Sequence, residues 1–236
     1  MPSPDFRAGR IVLAATLLAL SLLGGCASRS TTPAGLDPVS SSEWATDMAR
    51  FAVEDAAKPP PESPVVFTGS SSVRMWDTLA RDFPDVAVLN RGFGGSQVRD
   101  AAWYVEEVAL RYRPRQIVLY AGDNDISDGR SPAQVLADTR AFVARVQAAR
   151  PGTPIALLGI KPSPSRAHLL DLQRQTNDAL RDWASRQRHV TYVDVFTPML
   201  DADGMPREAL FIADRLHMNV AGYALWRGII DPYLVR

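Results

Sequence analysis

The stretch that decides the fold is PVVFTGSSSVRMW, residues 64–76. Its apolar run at 65–68 is short and is followed at once by turn residues, which is typical of a buried strand. After Gly69 and three serines, apolar positions recur at helical spacing. The stretch therefore predicts a strand, a tight turn and a helix, in that order.

The same succession repeats along the rest of the chain. Four further apolar runs predict strands at residues 86–89, 116–121, 155–160 and 191–195. Amphipathic segments predict helices at residues 40–57, 73–83, 98–112, 132–149, 167–187 and 220–230. Ser40 with Glu43 fits a capping box at the first helix, Ser131 precedes the fourth, and Asn219 precedes the last.

This alternation of strands and helices sets the fold class. Five apolar strands separated by helices predict an α/β protein whose five-stranded, mostly parallel sheet is covered on both faces. Right-handed crossovers then give a three-layer α/β/α arrangement. Ligands bind outside the carboxyl ends of the strands in such folds, so the residues just after each strand are the candidates for chemistry.

The segment Gly69-Ser70-Ser71-Ser72 follows the first predicted strand. A serine at a strand-to-helix turn holds its hydroxyl over the sheet, and its backbone N–H lies at a helix N-terminus, where negative charge is favoured. A serine-rich N-cap without any catalysis explains the same pattern. This segment alone leaves both interpretations open.

Two further segments follow the second and third strands. Residues 90–96, NRGFGGS, place three glycines in four positions, which allows backbone amides to approach a ligand closely. Gln97 replaces the third glycine of a dinucleotide-binding motif, so that interpretation is weak. Residues 121–125, AGDND, lack the Gly and Glu positions of an EF-hand calcium loop. Asn124 either directs its amide at a substrate oxygen or forms an Asx turn.

A histidine near the C-terminus stands in Asp214-Arg215-Leu216-His217. An aspartate three residues earlier can orient the imidazole of His217 and stabilise its protonated form. His168 and His189 are too far away along the chain to form a metal site with it, and we expect both at the surface. We expect no metal.

In their order along the chain, these residues resemble the SGNH, or GDSL-type, hydrolases, a family of serine esterases with a flavodoxin-like α/β/α fold. The resemblance covers residues 64–236. It implies a catalytic triad and an oxyanion hole at these positions: nucleophile Ser71, base His217, orienting acid Asp214, and the oxyanion donors Gly95, Asn124 and the N–H of Ser71. Ser70 stands where the family's Gly-Asp-Ser-Leu block has Asp, which is not the triad acid.

The resemblance implies hydrolysis of a small-molecule ester, with acylated carbohydrates and lipids among the candidate substrates, and it implies no cofactor. His217 would take the proton of Ser71, whose hydroxyl attacks the ester carbonyl, and water would then release the acyl group. No G-x-S-x-G surrounds Ser71, so an α/β-hydrolase is a poor rival. A different class of function, a non-catalytic envelope lipoprotein that binds a carbohydrate or acyl ligand in the same pocket, is the alternative.

Several residues next to these motifs are candidates for the pocket wall. Arg91, Phe93 and Trp76 either line the pocket or pack in the core, and core packing is favoured for Trp76. Residues 161–166, KPSPSR, follow the fourth strand, and their prolines predict a rigid rim at the active-site edge.

Residues 1–25 have the layout of a bacterial lipoprotein signal peptide. Arg7 and Arg10 precede an apolar stretch at 11–23 that is short for a membrane-spanning helix. The following Gly-Gly-Cys resembles a lipobox and implies acylation of Cys26, although an inert thiol is the alternative. Residues 26–42 are then a tether and 43–236 the hydrolase domain. We expect a lipid-anchored protein of the cell envelope that faces the periplasm, and Ala27 favours the outer membrane.

Composition excludes several other classes of function. Lys plus Arg and Asp plus Glu each total 26, so no basic excess is available to neutralise the phosphates of a nucleic acid. The single cysteine excludes an intramolecular disulfide framework and a cysteine-based zinc cluster. The oligomeric state does not follow from the sequence.

Overall fold

The centre of the fold is a five-stranded parallel sheet. The computed structural model describes Met1 and residues 36–236. The strands are β1 Val65–Gly69, β2 Val88–Gly92, β3 Gln116–Tyr120, β4 Ile155–Leu158 and β5 Val190–Val193. They lie in the order β2-β1-β3-β4-β5, and every neighbouring pair is parallel. The predicted sheet is confirmed. β2 begins and ends later in the chain than its predicted range, residues 86–89.

Helices cover the sheet. In the part of the chain that the structure describes, they are α1 Trp44–Ala57, α2 Ser71–Arg74, α3 Leu79–Asp82, α4 Val98–Trp103, α5 Val105–Val108, α6 Asp123–Ser127, α7 Pro132–Ala149, α8 Leu170–Ala184 and α9 Val220–Ile230. None of them is long and apolar enough to cross a membrane.

Successive strand side chains face two different cores. Val66 and Leu119 belong to the core that also contains the apolar residues of α1, α4, α5, α7 and α8. Phe67 and Tyr120 belong to the opposite core, with residues of α2, α3 and α9. Every residue of β1 and β3 is buried, as expected for parallel strands covered on both faces. The three-layer α/β/α arrangement is therefore confirmed.

The predicted helix at residues 73–83 is in fact two short helices. Trp76 and Thr78, in the segment between α2 and α3, both donate side-chain hydrogen bonds to Asp82 Oδ2, at 2.6 and 2.5 Å. Trp76 also packs edge-on against Phe67 in the core. This local polar pairing replaces a continuous helix. The predicted helix at 98–112 is likewise divided into α4, α5 and a 3-10 turn.

The predicted capping box at Ser40 is wrong, whereas the other two caps are present. Ser40 donates its N–H and its hydroxyl to the two carboxylate oxygens of Asp100, at 2.6 and 2.5 Å, and Glu43 makes no side-chain cap. The Ser40 hydroxyl therefore bonds to a buried carboxylate 60 residues away in sequence and does not cap α1. Ser131 forms a capping box with α7, and Asn219 accepts two backbone N–H bonds at the start of α9.

Residues 36–42, the described part of the predicted tether, lie against the domain. Leu36 is buried in the core that contains α1 and α4. Asp37 pairs with Arg130 at 2.8 Å. The predicted signal peptide, the lipobox and Cys26 lie outside the described residues, so the predicted division at residue 25 stays a prediction.

Candidate active site

The predicted site residues converge at the carboxyl edge of the sheet. β2 lies on one side of β1, and β3 lies on the other. The carboxyl ends of β1 and β3 therefore flank a topological switch point. Parallel α/β sheets bind ligands at such points. Ser71 follows β1, Gly95 follows β2 and Asn124 follows β3. The loop before α9 brings His217 to Ser71.

The turn after β1 presents Ser71 and buries its two serine neighbours. Gly69 has φ +120°, and a Cβ at this position would lie 1.8 Å from the Tyr120 carbonyl oxygen, so only glycine fits. Ser70 and Ser72 are buried, and the Ser70 side chain makes no helix cap. Of the three serines, Ser71 alone contacts His217, so the serine-rich N-cap does not describe this turn.

Ser71, His217 and Asp214 form a continuous hydrogen-bonded chain. His217 Nε2 lies 2.9 Å from Ser71 Oγ, and His217 Nδ1 lies 2.6 Å from Asp214 Oδ2. The two ring nitrogens of His217 thus face a hydroxyl and a carboxylate. This is the arrangement in which an imidazole accepts a hydroxyl proton while a carboxylate stabilises the resulting imidazolium.

The loop that carries His217 is held by local hydrogen bonds. Asp214 Oδ1 accepts the backbone N–H of Leu216 and of His217, both at 2.9 Å. Arg215 takes a left-handed conformation, φ +59°, inside this turn. The His217 carbonyl accepts the N–H of Ile212 at 2.9 Å, which closes the base of the loop. Asp214 therefore both orients the imidazole and shapes its backbone.

The carboxylate of Asp214 is held in its charged form. Burial pushes its pKa upward, but hydrogen bonds from the His217 side chain and from the N–H of His217 and Leu216 outweigh this and lower the pKa to about 2. Asp214 is therefore ionised at neutral pH and can stabilise a protonated His217.

The segments that follow β1, β2 and β3 carry three donors that the described residues leave free. Among the described residues, the N–H groups of Ser71 and Gly95 have no acceptor. Asn124 donates one amide N–H to the Ser96 carbonyl at 3.0 Å, and its Oδ1 accepts a bond from Arg166 at 3.2 Å. Arg166 thereby fixes the amide orientation, and the second N–H of Asn124 is left for a ligand. Asn124 does not form the alternative Asx turn.

Trp44 covers the glycine loop, a contact that no sequence pattern indicated. Its ring lies 3.2 Å from the Cβ position of Gly95, which has φ +89°, and it packs edge-on against Phe93. Its indole N–H donates to Ser40 Oγ at 3.1 Å. The helical spacing of α1 predicted only that Trp44 is a core residue. A Cβ at Gly95 would be in tight contact with this ring, which would have to shift by a few tenths of an ångström.

The start of α4 fixes the glycine loop from the other side. The Gln97 N–H donates to Asp100 Oδ2 at 2.7 Å, and the Val98 N–H donates to Asp125 Oδ1 at 3.1 Å. Burial raises the pKa of Asp125 to about 7, against the opposing bond from Val98 and the charge of Arg130. The carboxyl group after Asn124 thus joins the segments that follow β2 and β3.

Several predicted pocket residues lie elsewhere. Arg91, Phe93 and Trp76 are all buried in the core or under α1, so none lines the site. Arg91 packs under α1, where it pairs with Asp55 and lies over the ring of Phe51. The predicted rim at 161–166 is also largely wrong, because the segment from Lys161 to Pro164 is buried. The sequence therefore predicted a rim position for Lys161, whereas its side chain is buried.

Metal binding has no support in residues 36–236. Within this range no three His, Cys, Asp or Glu side chains are grouped so that they could hold an ion. His168 and His189 are exposed.

Comparison with protein families agrees with this geometry. The model of the GDSL-like lipase/acylhydrolase family matches residues 60–225, well over half of the chain. The chain belongs to this family. It is accordingly an ester hydrolase of the carboxylic ester class. Comparison with curated proteins finds no significant match.

Solved structures share the fold of this chain. A GDSL-like lipase from Bacteroides thetaiotaomicron is 20% identical with a TM-score of 0.68, over 79% of this chain and 96% of that one. A member of the lipolytic G-D-S-L family from Veillonella parvula is 21% identical with a TM-score of 0.59, over 73% and 98%. A catalytic mutant of an acetylxylan esterase from Geobacillus stearothermophilus is 16% identical with a TM-score of 0.59, over 73% and 94%.

Proposed function

We propose that this hydrolase is a serine esterase that works through an acyl-enzyme intermediate. Ser71 is the nucleophile, His217 is the general base, and Asp214 orients His217. The observation that carries the proposal is the chain of contacts from Asp214 Oδ2 to His217 Nδ1, 2.6 Å, and from His217 Nε2 to Ser71 Oγ, 2.9 Å. Both distances lie within hydrogen-bond reach, as base catalysis requires.

The reaction proceeds in two half-steps. His217 Nε2 takes the Ser71 proton while Oγ attacks the ester carbonyl, and the imidazolium then protonates the leaving alcohol. Water, deprotonated by the same nitrogen, attacks the acyl carbonyl; the bond to Ser71 Oγ breaks, the imidazolium returns its proton to Oγ, and the acid is released. The tetrahedral oxyanion of each half-step accepts bonds from the Ser71 N–H, the Gly95 N–H and the Asn124 amide. Removal of one such donor typically costs 10²–10³ in kcat.

The test of the nucleophile is Ser71→Ala, with Ser72→Ala as the matched control. We expect Ser71→Ala to lose hydrolysis of p-nitrophenyl acetate and labelling by a fluorophosphonate, with an unchanged circular dichroism spectrum. Ser72→Ala changes a neighbouring serine that makes no contact with His217, and it should be labelled like the parent. A folded parent protein that is never labelled would instead favour the non-catalytic binding function.

For the substrate, we propose a small ester such as an acylated carbohydrate or a lipid. The fold shared with an acetylxylan esterase supports a sugar acetate, and the family description supports a lipid ester. A screen of p-nitrophenyl esters of increasing acyl length, beside acetylated sugars, separates the two. A sharp preference for acetate indicates the carbohydrate, and a preference for long chains indicates the lipid.

For the location, we propose that Cys26 is acylated and that the protein is anchored in the bacterial envelope, facing the periplasm, with the outer membrane favoured. The Gly-Gly-Cys segment behind an apolar stretch supports this. Incorporation of a fatty-acid label in cells should disappear in Cys26→Ala. A label that persists in that variant contradicts the proposal.

A further inference from the structure

Three charged side chains lie together beneath the catalytic edge. Lys161 is 1% exposed and Asp123 is 4% exposed, and Arg166 is largely covered. Lys161 Nζ lies 3.5 Å from Asp123 Oδ2, and Arg166 Nη1 lies 2.7 Å from the same oxygen. Gln173 donates to the other oxygen, Oδ1, at 3.1 Å. The Asp123 carboxylate therefore has partners on both oxygens.

Burial of these charges calls for an explanation beyond stability. Charged groups lose hydration when they are buried, and their replacement by apolar residues of similar volume is often neutral or stabilising. In line with this cost, burial lowers the pKa of Lys161, while the charge of Asp123 opposes the shift. A purely structural network gives little reason to keep a lysine here. Its outward contacts give a better one.

One contact leads from the network to the loop of the general base. Lys161 Nζ donates to the carbonyl oxygen of Leu216 at 2.9 Å. Leu216 immediately precedes His217, and no other donor to its carbonyl is found among the described residues. Asp214 holds the N–H side of this loop, and Lys161 holds its carbonyl side. The outer face of the loop is exposed to solvent. On the inner face the loop has two anchors from the segment after β4: Lys161 at the Leu216 carbonyl, and the Ser165 N–H at the Arg215 carbonyl, 3.0 Å.

The other contact leads from the network to the oxyanion hole. Arg166 pairs with Asp123 through Nη1 and donates from Nη2 to Asn124 Oδ1 at 3.2 Å. This second bond sets which way the Asn124 amide faces. A single carboxylate, on the residue next to Asn124, thus fixes the cation that orients the oxyanion donor and the cation that holds the base loop.

We propose that Lys161, Asp123 and Arg166 are positioning residues that hold the general base and the oxyanion donor in register with each other. The inference rests on the proposed function, because it assigns the network to the Ser71, His217 and Asn124 machinery. None of the three residues touches the reacting atoms. Each acts through a neighbour: Lys161 through the His217 loop, Arg166 through Asn124, and Asp123 through both.

The first test exploits the fact that the chain has two lysines, Lys58 and Lys161. Lys161→Met keeps an unbranched stem but removes the donor to Leu216. We expect kcat to fall on the order of 10- to 100-fold, the loss that misplaced catalytic groups typically cause, with KM within about twofold of the parent. Lys58→Met makes the same chemical change at an exposed site and should leave both constants unchanged.

The second test separates the two branches by double-mutant cycles. Arg166→Met should lower kcat by about tenfold, a fraction of the loss on removing an oxyanion donor, because Asn124 loses its orientation. In an Asn124→Ala background the same change should have almost no effect, since its target is gone. Lys161→Met should cost the same factor in both backgrounds, because it acts on the other half of the site.

Contradiction of the inference takes a clear form. If Lys161→Met is folded and retains the parent kcat while Ser71→Ala is inactive, the positioning role is wrong and the proposed function stands. If Ser71→Ala stays active, the proposed function itself fails. Arg166 is partly exposed, so its cycle with Asn124 decides the oxyanion branch even if Lys161→Met does not fold. Equal costs of Arg166→Met in both backgrounds would overturn that branch.

Discussion

The two halves of the proposed catalytic site are built in different ways. The proposed nucleophile, Ser71, follows the buried strand β1 through Gly69, and its neighbours Ser70 and Ser72 are buried. The base lies on a loop outside any helix or strand, where the side chain of Asp214 is 42% exposed and that of His217 is 22% exposed. Strand pairing and close packing position the first half, and a few hydrogen bonds position the second.

Because of this difference, substitutions in the two halves should affect folding and activity separately. At the strand end, backbone groups of β1 and β3 approach so closely that a substitution there disturbs the sheet itself. On the loop, the groups that orient His217 bury little apolar surface, so their loss removes chemistry and leaves the core intact. Changes at the close backbone contact before Ser71, at Gly69, should therefore affect folding first, and changes in the loop of His217 should affect kcat first.

The largest effect is expected for Gly69→Ala, which should prevent folding. The new Cβ would lie 1.8 Å from the Tyr120 carbonyl oxygen, and φ +120° is strained for any other residue. Gly228→Ala is the matched control, because its Cβ meets open space within α9, and alanine in a helix is favoured over glycine by about 0.5–1 kcal/mol. Soluble yield and thermal unfolding measure both. A folded, active Gly69→Ala would contradict a turn that depends on the close packing of β1 against β3.

The next effect is expected for Asp214→Asn, which should lower kcat by roughly 10⁴, as loss of a triad carboxylate does elsewhere, while the protein stays folded with a modest drop in melting temperature, because Asn keeps an acceptor for the N–H groups of Leu216 and His217. The amide cannot hold the His217 tautomer or stabilise its protonated form. Asp201→Asn is the control, because Asp201 caps its own exposed turn by accepting the N–H of Asp203 and Met205. Steady-state kinetics and thermal unfolding decide the outcome. A large loss of stability in Asp214→Asn would contradict a loop that is independent of the core.

The smallest effect is expected in the pH dependence of stability, at Asp125. The pKa of Asp125 is raised from 3.8 to about 7 by burial, so the folded state binds its proton more tightly than the unfolded state. Stability from this group is therefore full at low pH and falls as pH rises from about 4 to about 7. Asp125→Asn keeps an acceptor for the Val98 N–H and should show a flatter stability curve over that range.

Asp214 provides the internal control for this measurement. Its pKa is lowered to about 2, so it contributes stability above its ordinary value of 3.8, and this contribution is lost as pH falls towards 2. The two carboxyl groups therefore act over separate pH ranges. Urea unfolding at several pH values between 3 and 8 distinguishes them. Identical slopes for the parent and Asp125→Asn between pH 4 and 7 would contradict the assignment.

Local signals predicted the frame of the molecule well. The apolar runs gave the five strands, and Ser131 and Asn219 marked their helices, because strand burial and capping depend on a few neighbouring residues. The Ser40 cap failed because its true partner, Asp100, is remote in sequence. The break in the predicted helix at 73–83 was missed for a related reason. Trp76 packs against core residues that are remote in sequence, and the local pattern does not contain them.

The candidate site divides in the same way. Motif order placed Ser71, Asn124 and His217 at one edge. In the structure His217 contacts Ser71, and Asn124 contacts Ser96 in the segment after β2. Lys161 was assigned to a rim because its neighbours are prolines and serines, yet it is buried beneath the edge. The chain has two lysines, Lys58 and Lys161, and 24 arginines. The rarity of lysine was the signal available for Lys161. Its meaning depended on where the backbone of Leu216 comes to lie, which no local pattern contains.

The contrast between the two lysines has a practical consequence for attaching this enzyme to a surface. Lys161 is shielded from solvent, and Lys58 is exposed just beyond α1, a helix about 21 Å long that starts with Trp44 beside the glycine loop. Amine-reactive dyes and resins should therefore couple at Lys58 and not at Lys161. Coupling at Lys58 orients the enzyme with its catalytic edge away from the support and open to substrate.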